Sequence, residues 1–280
     1  MENETRRNPA RMVGPHEVLI EEETPGARAL ETVNGDLSNQ EYTLYHLPAH
    51  IEAGSVRPSL AVIIPALEEG HTISNVISKL SVVNPEAEIV VVDGGSLDGT
   101  AEKAQRANVH VIFESRRGYG RAIRSGIESI DADFYAIVDA DDTYDLKVLP
   151  KMLDLAARGK LVIGRRNGVD KGSMLLSHII GNKVLSLVYR VLYRRRVADT
   201  QSGFKVFPMS IARVLQEDGM TLSSEILVAG RRMRYDVAEV PVGYHVRHNG
   251  SKSKFGFWKD GIPVLLYLIS TRLRKRSPND

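Results

Sequence analysis

The sequence predicts an α/β fold in which a mostly parallel sheet is covered by helices on both faces. The first observation is a series of short apolar runs of strand length, at Leu60–Ile64, Ile89–Val92, Val109–Phe113, Phe134–Val138 and Leu161–Ile163. The second is that segments with helical spacing separate these runs, at Ile73–Val83, Gly99–Ala107, Gly120–Ile130 and Leu146–Ala157. Strands that alternate with helices in this rhythm form parallel sheets buried on both sides.

The composition is that of a folded globular protein with a real core. Of the 280 residues, 42% are hydrophobic and 26% are charged. The sequence contains no cysteine, which excludes disulfides and thiolate metal sites and favours a reducing compartment. It shows neither a secretory signal nor an apolar run of about 18 residues, so we expect no transmembrane helix.

Charge is distributed unevenly along the chain. Residues 1–57 hold five basic and ten acidic side chains, and we expect them to form a partly ordered acidic extension. Residues 58–260 are predicted to form the catalytic domain, and residues 261–280 an apolar and basic tail. From residue 58 onward, basic side chains outnumber acidic ones by 32 to 25, which suits an anionic partner such as a nucleotide, a phospholipid, a prenyl phosphate or a nucleic acid.

Several predicted strands end in polar or glycine-rich residues. In open α/β sheets, ligands bind outside the carboxyl ends of the strands, so these strand ends are predicted to converge on one binding edge. They are Pro65–Glu69, Asp93–Ser96, Asp139–Asp142 and Gly164–Arg166.

The sharpest signal among them is Asp139-Ala140-Asp141. Alternate residues of a strand share a face, so the two carboxylates are expected to point the same way. Like charges this close are costly unless a cation neutralises them, and Mg²⁺ or Mn²⁺ bridging carboxylate and diphosphate oxygens is the usual solution. The alternative is an acidic loop that caps the next helix.

Two glycine-containing loops are further candidates. Asp93–Thr100 brings backbone close to a ligand, and Asp93 can accept hydrogen bonds from a base or a ribose, although a plain β–α turn is the alternative. Arg116–Arg121 places glycines and arginines at a helix start, where they suit phosphate oxygens or form a solvated basic turn. This second loop lacks the patterns of a P-loop and of a dinucleotide fold.

Taken together, these residues resemble the family 2 glycosyltransferases with the Rossmann-like GT-A fold. Within that family, the chain is most similar to the dolichol-phosphate or polyprenyl-phosphate hexosyltransferases, over about residues 59–260. The motifs occur in family order: Val62–Glu69, Val91–Thr100, Arg117–Gly120, Asp139–Asp141, Val162–Arg166, Asp199–Phe204, Ser224-Glu225, and Val240–Val242 leading into Arg247–Lys252.

The resemblance implies a role for each matching residue. Donor nucleotide contacts are implied for Pro65, Glu69, Asp93, Ser96, Arg117, Gly118, Asp139 and Ala140. The metal site is implied at Asp139, Asp141 and Thr143. Acceptor contacts are implied for Arg166, Ser202, Glu225, Arg247, Ser251 and Lys252. Asp141, Arg166, Arg247 and Lys252 are the implied catalytic residues. The chain departs from the mannosyl-transferring branch at Leu67, Gly94 and Thr143, which favours a UDP-sugar over a GDP-sugar.

The implied reaction is the metal-dependent, inverting transfer of a hexose or N-acetylhexosamine to polyprenyl (dolichyl) phosphate. An enzyme of this kind is expected in the cytoplasm, peripheral on the cytoplasmic face of the membrane. Two C-terminal amphipathic segments, Ser173–Arg196 and residues 262–276, carry apolar stripes beside basic residues. The predicted membrane-facing side chains are Met174, Leu175, Ile179, Leu185, Val188, Leu192, Leu265, Leu266, Leu268 and Ile269. The alternative is that both stripes pack on the sheet.

Three other functions compete with this interpretation. A soluble glycosyltransferase acting on a small phosphorylated acceptor such as phosphoglycerate uses the same parts without needing the amphipathic segments. A nucleotidyltransferase normally has a glycine-rich loop after its first strand, whereas Pro65–Gly70 has one glycine. A nucleic-acid-binding module needs aromatic stacking partners, and aromatic residues make up only 6% of this chain.

Overall fold

The computed structural model describes residues 32–33, 42–45, 58–169, 176–247 and 256–273. Within these residues the chain forms nine strands: β1 Thr32–Val33, β2 Tyr42–Tyr45, β3 Leu60–Ala66, β4 Glu88–Asp93, β5 His110–Phe113, β6 Phe134–Ile137, β7 Lys160–Val169, β8 Lys205–Pro208 and β9 Asp236–Tyr244. The helices are α1 Ile73–Val83, α2 Thr100–Arg106, α3 Tyr119–Glu128, α4 Leu149–Ala157, α5 Leu176–Tyr193, α6 Met209–Ala212, α7 Leu222–Arg232 and α8 Phe257–Leu273. A 3₁₀ turn, Leu146–Val148, precedes α4.

The strands form one sheet in the order β1-β2-β5-β4-β3-β6-β8-β7-β9. Neighbours pair in parallel except at β8, which is antiparallel to β6 and β7, and at β2, which is antiparallel to β1 and β5. Six of the seven strands from β3 to β9 therefore run the same way. The chain lays β4 and β5 on one side of β3 and then crosses to place β6 on the other. A crevice at such a switch point is where α/β sheets bind ligands.

Helices cover both faces of the sheet, as predicted, because β3 alternates its apolar side chains between two cores. Val62 and Ile64 pack with residues of α1, α2 and α4. Ala61 and Ile63 face the opposite core, which α3, α5, α7 and α8 cover. The expected α/β class is thus confirmed. The predicted strands and the first four helices agree with the observed ones to within three residues, except that β7 continues to Val169, six residues beyond the predicted end.

The structure differs from the sequence prediction in its last two long helices. The helix α8 begins at Phe257 and crosses the expected boundary between 260 and 261, and its Val264 and Leu268 are fully buried. The prediction that Leu185, Val188, Leu192, Leu265 and Leu268 face a membrane is wrong, because these side chains pack against the core formed by the sheet. Met174 and Leu175 lie outside the residues whose side chains the structure describes.

Among the described residues, no helix is both long enough and apolar enough to span a bilayer. The acidic extension lies outside the described residues, apart from the two short strands β1 and β2.

Candidate active site

The candidate site lies at the carboxyl ends of the strands around the switch point. Asp93 ends β4, whereas Asp139 and Asp141 follow β6 directly. Arg166 lies in β7, and Arg247 follows β9 within three residues. The topology therefore brings side chains from four strands, which are far apart in the sequence, to one edge of the sheet.

The two aspartates after β6 are held close together and are supported differently. The Asp139 carboxylate accepts a hydrogen bond from the Tyr119 hydroxyl at 3.1 Å. Asp141 is buried, and its Oδ1 accepts a 2.6 Å hydrogen bond from the Thr143 hydroxyl. Desolvation of the Asp139 carboxylate and the nearby charge of Asp141 raise the pKa of Asp139 above its usual range. The pair thus forms a site that attracts positive charge.

One cationic side chain already binds the pair and neutralises part of its charge. The Arg247 guanidinium lies 2.8 Å from Asp141 Oδ2. The structure pairs Arg247 with the second aspartate, and the acceptor contact expected of Arg247 stays a prediction. Arg247 thereby connects the chain after β9 to the predicted metal site.

A glycine makes room for the Asp139 carboxylate. A Cβ atom at Gly203 would collide with that carboxylate, so no other residue fits there without a shift. The Gly203 amide donates to the Tyr144 hydroxyl at 2.8 Å, which fixes the backbone in this position. The sequence prediction includes Tyr119 and Gly203 in family motifs without giving either a role, and it does not include Tyr144. Contacts between residues that follow different strands cannot be predicted from their spacing in the sequence.

Arg166 is held in a defined orientation by Asp199. Its Nε and Nη2 donate to the two carboxylate oxygens at 2.7 and 2.6 Å, and its backbone amide donates to Oδ2 at 3.1 Å. Asn182 of α5 adds a 2.8 Å bond to the same carboxylate. Although burial acts in the opposite direction, the Arg166 guanidinium lowers the pKa of Asp199. The guanidinium also lies over the ring of Tyr244, 5.4 Å from its centroid.

The strand β8, which pairs with the strand of Arg166, carries a buried lysine. Lys205 in β8 is 1% exposed, and its ammonium donates to the Ser202 carbonyl and, at 3.1 Å, to the Ser223 hydroxyl. Burial lowers the pKa of Lys205 to about 8. The strand next to that of Arg166 thus carries an internal cation of its own.

The Asp93 loop is a tight turn with one unused acceptor. The Asp93 Oδ1 accepts the backbone amides of Gly95 and Ser96, each at 2.8 Å. Its Oδ2 is buried and has no hydrogen-bond partner among the described residues. An orphaned buried carboxylate oxygen is costly unless a ligand donates to it, so this atom favours a base or ribose contact.

The loops after β3 and β4 support each other. The Ser96 hydroxyl accepts the Glu68 amide at 2.8 Å, and the Thr100 hydroxyl accepts the Glu69 amide at 2.9 Å. Pro65 lies half-buried in β3, in register with β4. These bonds hold the two loops together, and the donor contacts expected of Pro65, Glu69, Asp93 and Ser96 stay predictions.

The arginine-rich loop before α3 behaves differently from expectation. The sequence left open whether the arginines of this loop bind phosphate or form a solvated basic turn, but Arg116 and Arg121 both bind the buried Glu114, at 2.8 and 3.0 Å. Although burial opposes ionisation, hydrogen bonds from Arg116, Ser125 and Arg121 lower the pKa of Glu114 to about 2. Arg117 is left exposed at the loop surface.

Close packing accounts for the two glycines of the same loop. A Cβ at Gly118 would collide with the Asp218 carbonyl, and one at Gly120 with the Glu217 carbonyl. The Gly118 φ of +154° also disfavours other residues. These contacts explain the glycines by packing of the chain around residues 217–219, and the phosphate contact predicted for Gly118 stays a prediction.

Ser202 and Glu225 are engaged within the fold. The buried Ser202 hydroxyl donates to the Gly164 carbonyl at 2.6 Å. The Glu225 carboxylate accepts the backbone amides of Gln216 and Glu217, at 2.9 to 3.1 Å. Contact of either side chain with the acceptor stays a prediction. The Ala140 carbonyl accepts the Thr72 hydroxyl at 2.7 Å.

Ser251 and Lys252 lie outside the described residues, so their predicted acceptor contacts also stay predictions.

The residues that are present fit a divalent ion, although they do not form a complete cage. In the described parts of the chain, no three His, Asp or Glu side chains are grouped to hold a metal ion. Asp139 and Asp141 nevertheless supply hard oxygen ligands with an excess of negative charge. Mg²⁺ in nucleotide sites is usually held by one or two carboxylates together with phosphate oxygens. Such a donor set is incomplete until a nucleotide is bound.

Comparisons with known proteins agree with this architecture. The sequence matches the family model Glycosyl transferase family 2 over residues 61–215. Glycosyltransferase AglJ of Haloferax volcanii is 30% identical over 215 residues, which cover 75% of this chain and 71% of the relative. The Dolichyl-phosphate hexose transferase of the same organism is 30% identical over 222 residues, which cover 78% of this chain and 95% of the relative.

A solved structure gives the same fold. Glucosyl-3-phosphoglycerate synthase from Mycobacterium tuberculosis, in complex with Mn²⁺, UDP-glucose and phosphoglyceric acid, has a TM-score of 0.61 to this chain. The match covers 83% of this chain and 88% of that one, at 19% sequence identity. The family model spans more than half of the chain, and two relatives reach 30% identity over more than two thirds of it. The chain therefore belongs to glycosyl transferase family 2 and is a glycosyltransferase.

Proposed function

We propose that this glycosyltransferase moves a hexose or N-acetylhexosamine from a UDP-sugar to a polyprenyl or dolichyl phosphate, with Mg²⁺ or Mn²⁺ and with inversion at the anomeric carbon. The observation that carries the proposal is the carboxylate pair Asp139 and Asp141 at the switch point, with the charges of Arg166 and Arg247 acting on it. The relative named Dolichyl-phosphate hexose transferase supports the acceptor class.

The donor side follows from the loops after β3 and β4. The unused Oδ2 of Asp93 is an acceptor for an N–H of the base, such as the imide N–H of uracil. Pro65 and the Glu69 backbone form the neighbouring wall, and the exposed Arg117 is available to diphosphate oxygens. The neighbour solved with UDP-glucose supports a uridine donor over a guanosine donor.

Asp139 and Asp141 are the residues that would hold the divalent ion. When bound, the ion supplies Lewis-acid stabilisation of the leaving diphosphate. Thr143 orients Asp141 through its hydroxyl, and Tyr119 and Gly203 hold Asp139. The Mn²⁺ in the structural neighbour supports this assignment.

On the acceptor side, the reaction requires positively charged side chains more than it requires a general base. A phosphomonoester is mostly ionised near neutral pH, with a second pKa of about 6, so it attacks the anomeric carbon without strong proton abstraction. The task of the chain is to align two anions that repel each other. Arg166 is fixed for this by Asp199, and Arg247 follows β9, the strand that pairs with the strand of Arg166. One in-line displacement inverts the anomeric centre.

We also propose that the enzyme works on the cytoplasmic face of the membrane as a peripheral protein, since the proposed acceptor is a lipid. The second candidate is a soluble acceptor such as phosphoglycerate, which the name of the structural neighbour supports. Both candidates use the same donor site, so the acceptor has to be identified from the product.

The test is a donor screen with radiolabelled UDP- and GDP-sugars, run with polyprenyl phosphate in detergent and with Mn²⁺, Mg²⁺ or EDTA. Label that is extracted into organic solvent only when enzyme, metal and polyprenyl phosphate are all present supports the proposal. Label that stays in water as a glycosylated phosphoglycerate, in parallel reactions with that acceptor, contradicts it and selects the second candidate.

A further inference from the structure

Two neighbouring helices expose an unusual amount of apolar surface. Fifteen large hydrophobic side chains are exposed in the described ranges, and eight of them lie on α5 and α8. On α5 they are Ile180, Val184, Leu187 and Val191, and on α8 they are Ile262, Leu266, Ile269 and Leu273. We call these eight side chains the helix-pair surface. Clustered apolar exposure of this kind marks an interaction site, whereas single exposed residues do not.

The spacing of these residues shows that they form stripes. In both helices the exposed positions follow the pattern i, i+4, i+7 and i+11, which places the four side chains within a sector of about 60° at 3.6 residues per turn. The buried side chains Leu185 and Tyr189 of α5, and Val264 and Leu268 of α8, lie on the other side of each helix. Each helix is therefore apolar on its outward face as well as on its core face.

The helices are in contact at their C-terminal halves. The Tyr193 hydroxyl of α5 donates to the Leu268 carbonyl of α8 at 2.9 Å, and the Arg272 Nε donates to the Leu192 carbonyl at 2.8 Å. Each stripe runs into this contact region, since Val191 and Ile269 lie within two residues of the bonded groups. The two stripes are thus carried by one packed pair of helices.

The charges beside the stripes are almost all positive. The helix α5 contains no acidic residue, and its exposed Lys183 and Arg190 fall in the sector next to the stripe. The exposed Arg194 and Arg196 follow directly after the helix. The one acidic residue of α8 is Asp260, whose carboxylate accepts the Gly256 amide. After the helix, the sequence continues as Arg274-Lys275-Arg276. An apolar stripe flanked by cations matches an anionic bilayer, whereas a second copy of this chain brings like charges together.

The chain connects this surface to the acceptor side of the site. The strand β7, which carries Arg166, is followed by α5, and Asn182 of α5 binds the Asp199 that orients this arginine. The residues after Arg247 lead into α8. In chain order, the segments that follow the strand of Arg166 and the residue Arg247 therefore lead to the two striped helices.

We propose that the helix-pair surface docks on an anionic lipid bilayer, with the apolar stripes in the interfacial region and the basic groups against the headgroups. The proposal rests on the proposed function only in giving the docking a purpose, which is to hold the acceptor side of the site at the lipid that carries the phosphate. The attachment itself is a physical property of the surface and is measured without catalysis.

The experiment is co-sedimentation of the purified full chain with vesicles of phosphatidylcholine and phosphatidylglycerol in equal parts, and with pure phosphatidylcholine vesicles. The test variant combines Leu187→Gln, Val191→Gln and Leu266→Gln. The matched control combines Val82→Gln, Val214→Gln and Met233→Gln, which remove exposed apolar side chains elsewhere. Circular dichroism melting of each variant verifies folding.

We expect the wild type and the control to sediment with the anionic vesicles, less so at high salt, and the test variant to bind at least about tenfold more weakly. A folded test variant that binds like the wild type overturns the proposal. A wild type that stays in the supernatant also overturns the proposal. The same holds if the wild type is a dimer in gel filtration and the test variant is a monomer, because the stripes of two copies then cover each other. If the vesicle result is positive and no lipid-linked sugar forms, the proposed acceptor is wrong and the docking surface stands.

Discussion

The two ends of the sheet hold their site residues in different ways. At the donor end, from β3 to α4, several side chains are held by neighbours within two or three positions: Asp93 binds the amides of Gly95 and Ser96, and Asp141 binds Thr143. At the acceptor end, from β7 to α8, the partners come from distant segments, as in the bond between Arg166 and Asp199, 33 positions apart. At the proposed donor end, the Asp93 and Asp141 carboxylates are thus oriented by local turns, although the loops after β3 and β4 also bind each other, as in the bond from the Glu69 amide to Thr100. At the proposed acceptor end, Arg166 is oriented by tertiary contacts.

This difference has a functional consequence. A turn that is held by its own neighbours keeps its shape when the rest of the site changes, which suits a nucleotide pocket. Arg166 is held through Asp199 and Asn182, so the proposed acceptor site is coupled to the helix on which Asn182 lies. We therefore expect substitutions at the two ends to impair different properties of the enzyme.

The largest effect is expected at the junction of the two ends. Asp139→Asn or Asp141→Asn removes one carboxylate of the pair, and transfer should fall at least about a thousandfold, because the leaving diphosphate loses its cation. Initial rates at saturating Mn²⁺ measure this loss. The control is Asp142→Asn, whose carboxylate pairs with Lys79 outside the site and whose loss should change the rate only a few-fold. Normal turnover by both site variants, with EDTA harmless to the wild type, contradicts the metal site.

The next effect concerns the stability of the acceptor end. Asp199→Ala leaves the guanidinium of Arg166 buried without its partner, and it should lower the free energy of unfolding by about 3–5 kcal/mol. Urea titration followed by fluorescence measures this free energy. Asp236→Ala is the matched control, since it breaks ion pairs of exposed side chains and should cost less than about 1 kcal/mol. Equal losses in the two variants would mean that Arg166 does not depend on Asp199.

At the proposed donor end, we expect the free energy of unfolding to depend on pH through Glu114. The pKa of Glu114 is lowered to about 2 in the folded chain, so its ionisation stabilises the fold above the ordinary carboxyl pKa of 4.5. That contribution is lost as the pH falls from 4.5 towards 2. The difference in unfolding free energy between the wild type and Glu114→Gln should therefore shrink by about 2 kcal/mol between pH 7 and pH 3. A difference that stays constant with pH would show that the arginines do not stabilise the charged form.

Elements formed by residues that are close in the sequence could be predicted from it, whereas contacts between distant residues could not. The strands from β3 to β6 and the helices between them follow from alternating apolar periods, because each unit is a strand, a turn and a helix in sequence order. The pairing of Arg247 with Asp141 does not follow from any period, since it joins the end of β9 to the end of β6. Nor does spacing show that Arg116 and Arg121 are neutralised by Glu114.

The helix α5 illustrates the limit of periodicity. It has two apolar stripes, one with Leu185 and Leu192 and the other with Val184 and Val191, and both have helical spacing. The sequence prediction chose the first as the outward stripe, but the fold buries it. Only the packing of α5 against the sheet and α8 decides which stripe faces outward, and that information is tertiary.

The most direct test of the division between donor and acceptor ends is a calorimetric titration of UDP in the presence of Mn²⁺. Asp93→Asn should weaken UDP binding about tenfold, because the amide replaces the free carboxylate oxygen that accepts from the base. Arg247→Ala should bind UDP like the wild type to within about twofold and should lose transfer to polyprenyl phosphate instead. If both variants lose UDP affinity equally, Arg247 belongs to the donor site and the proposed division is wrong.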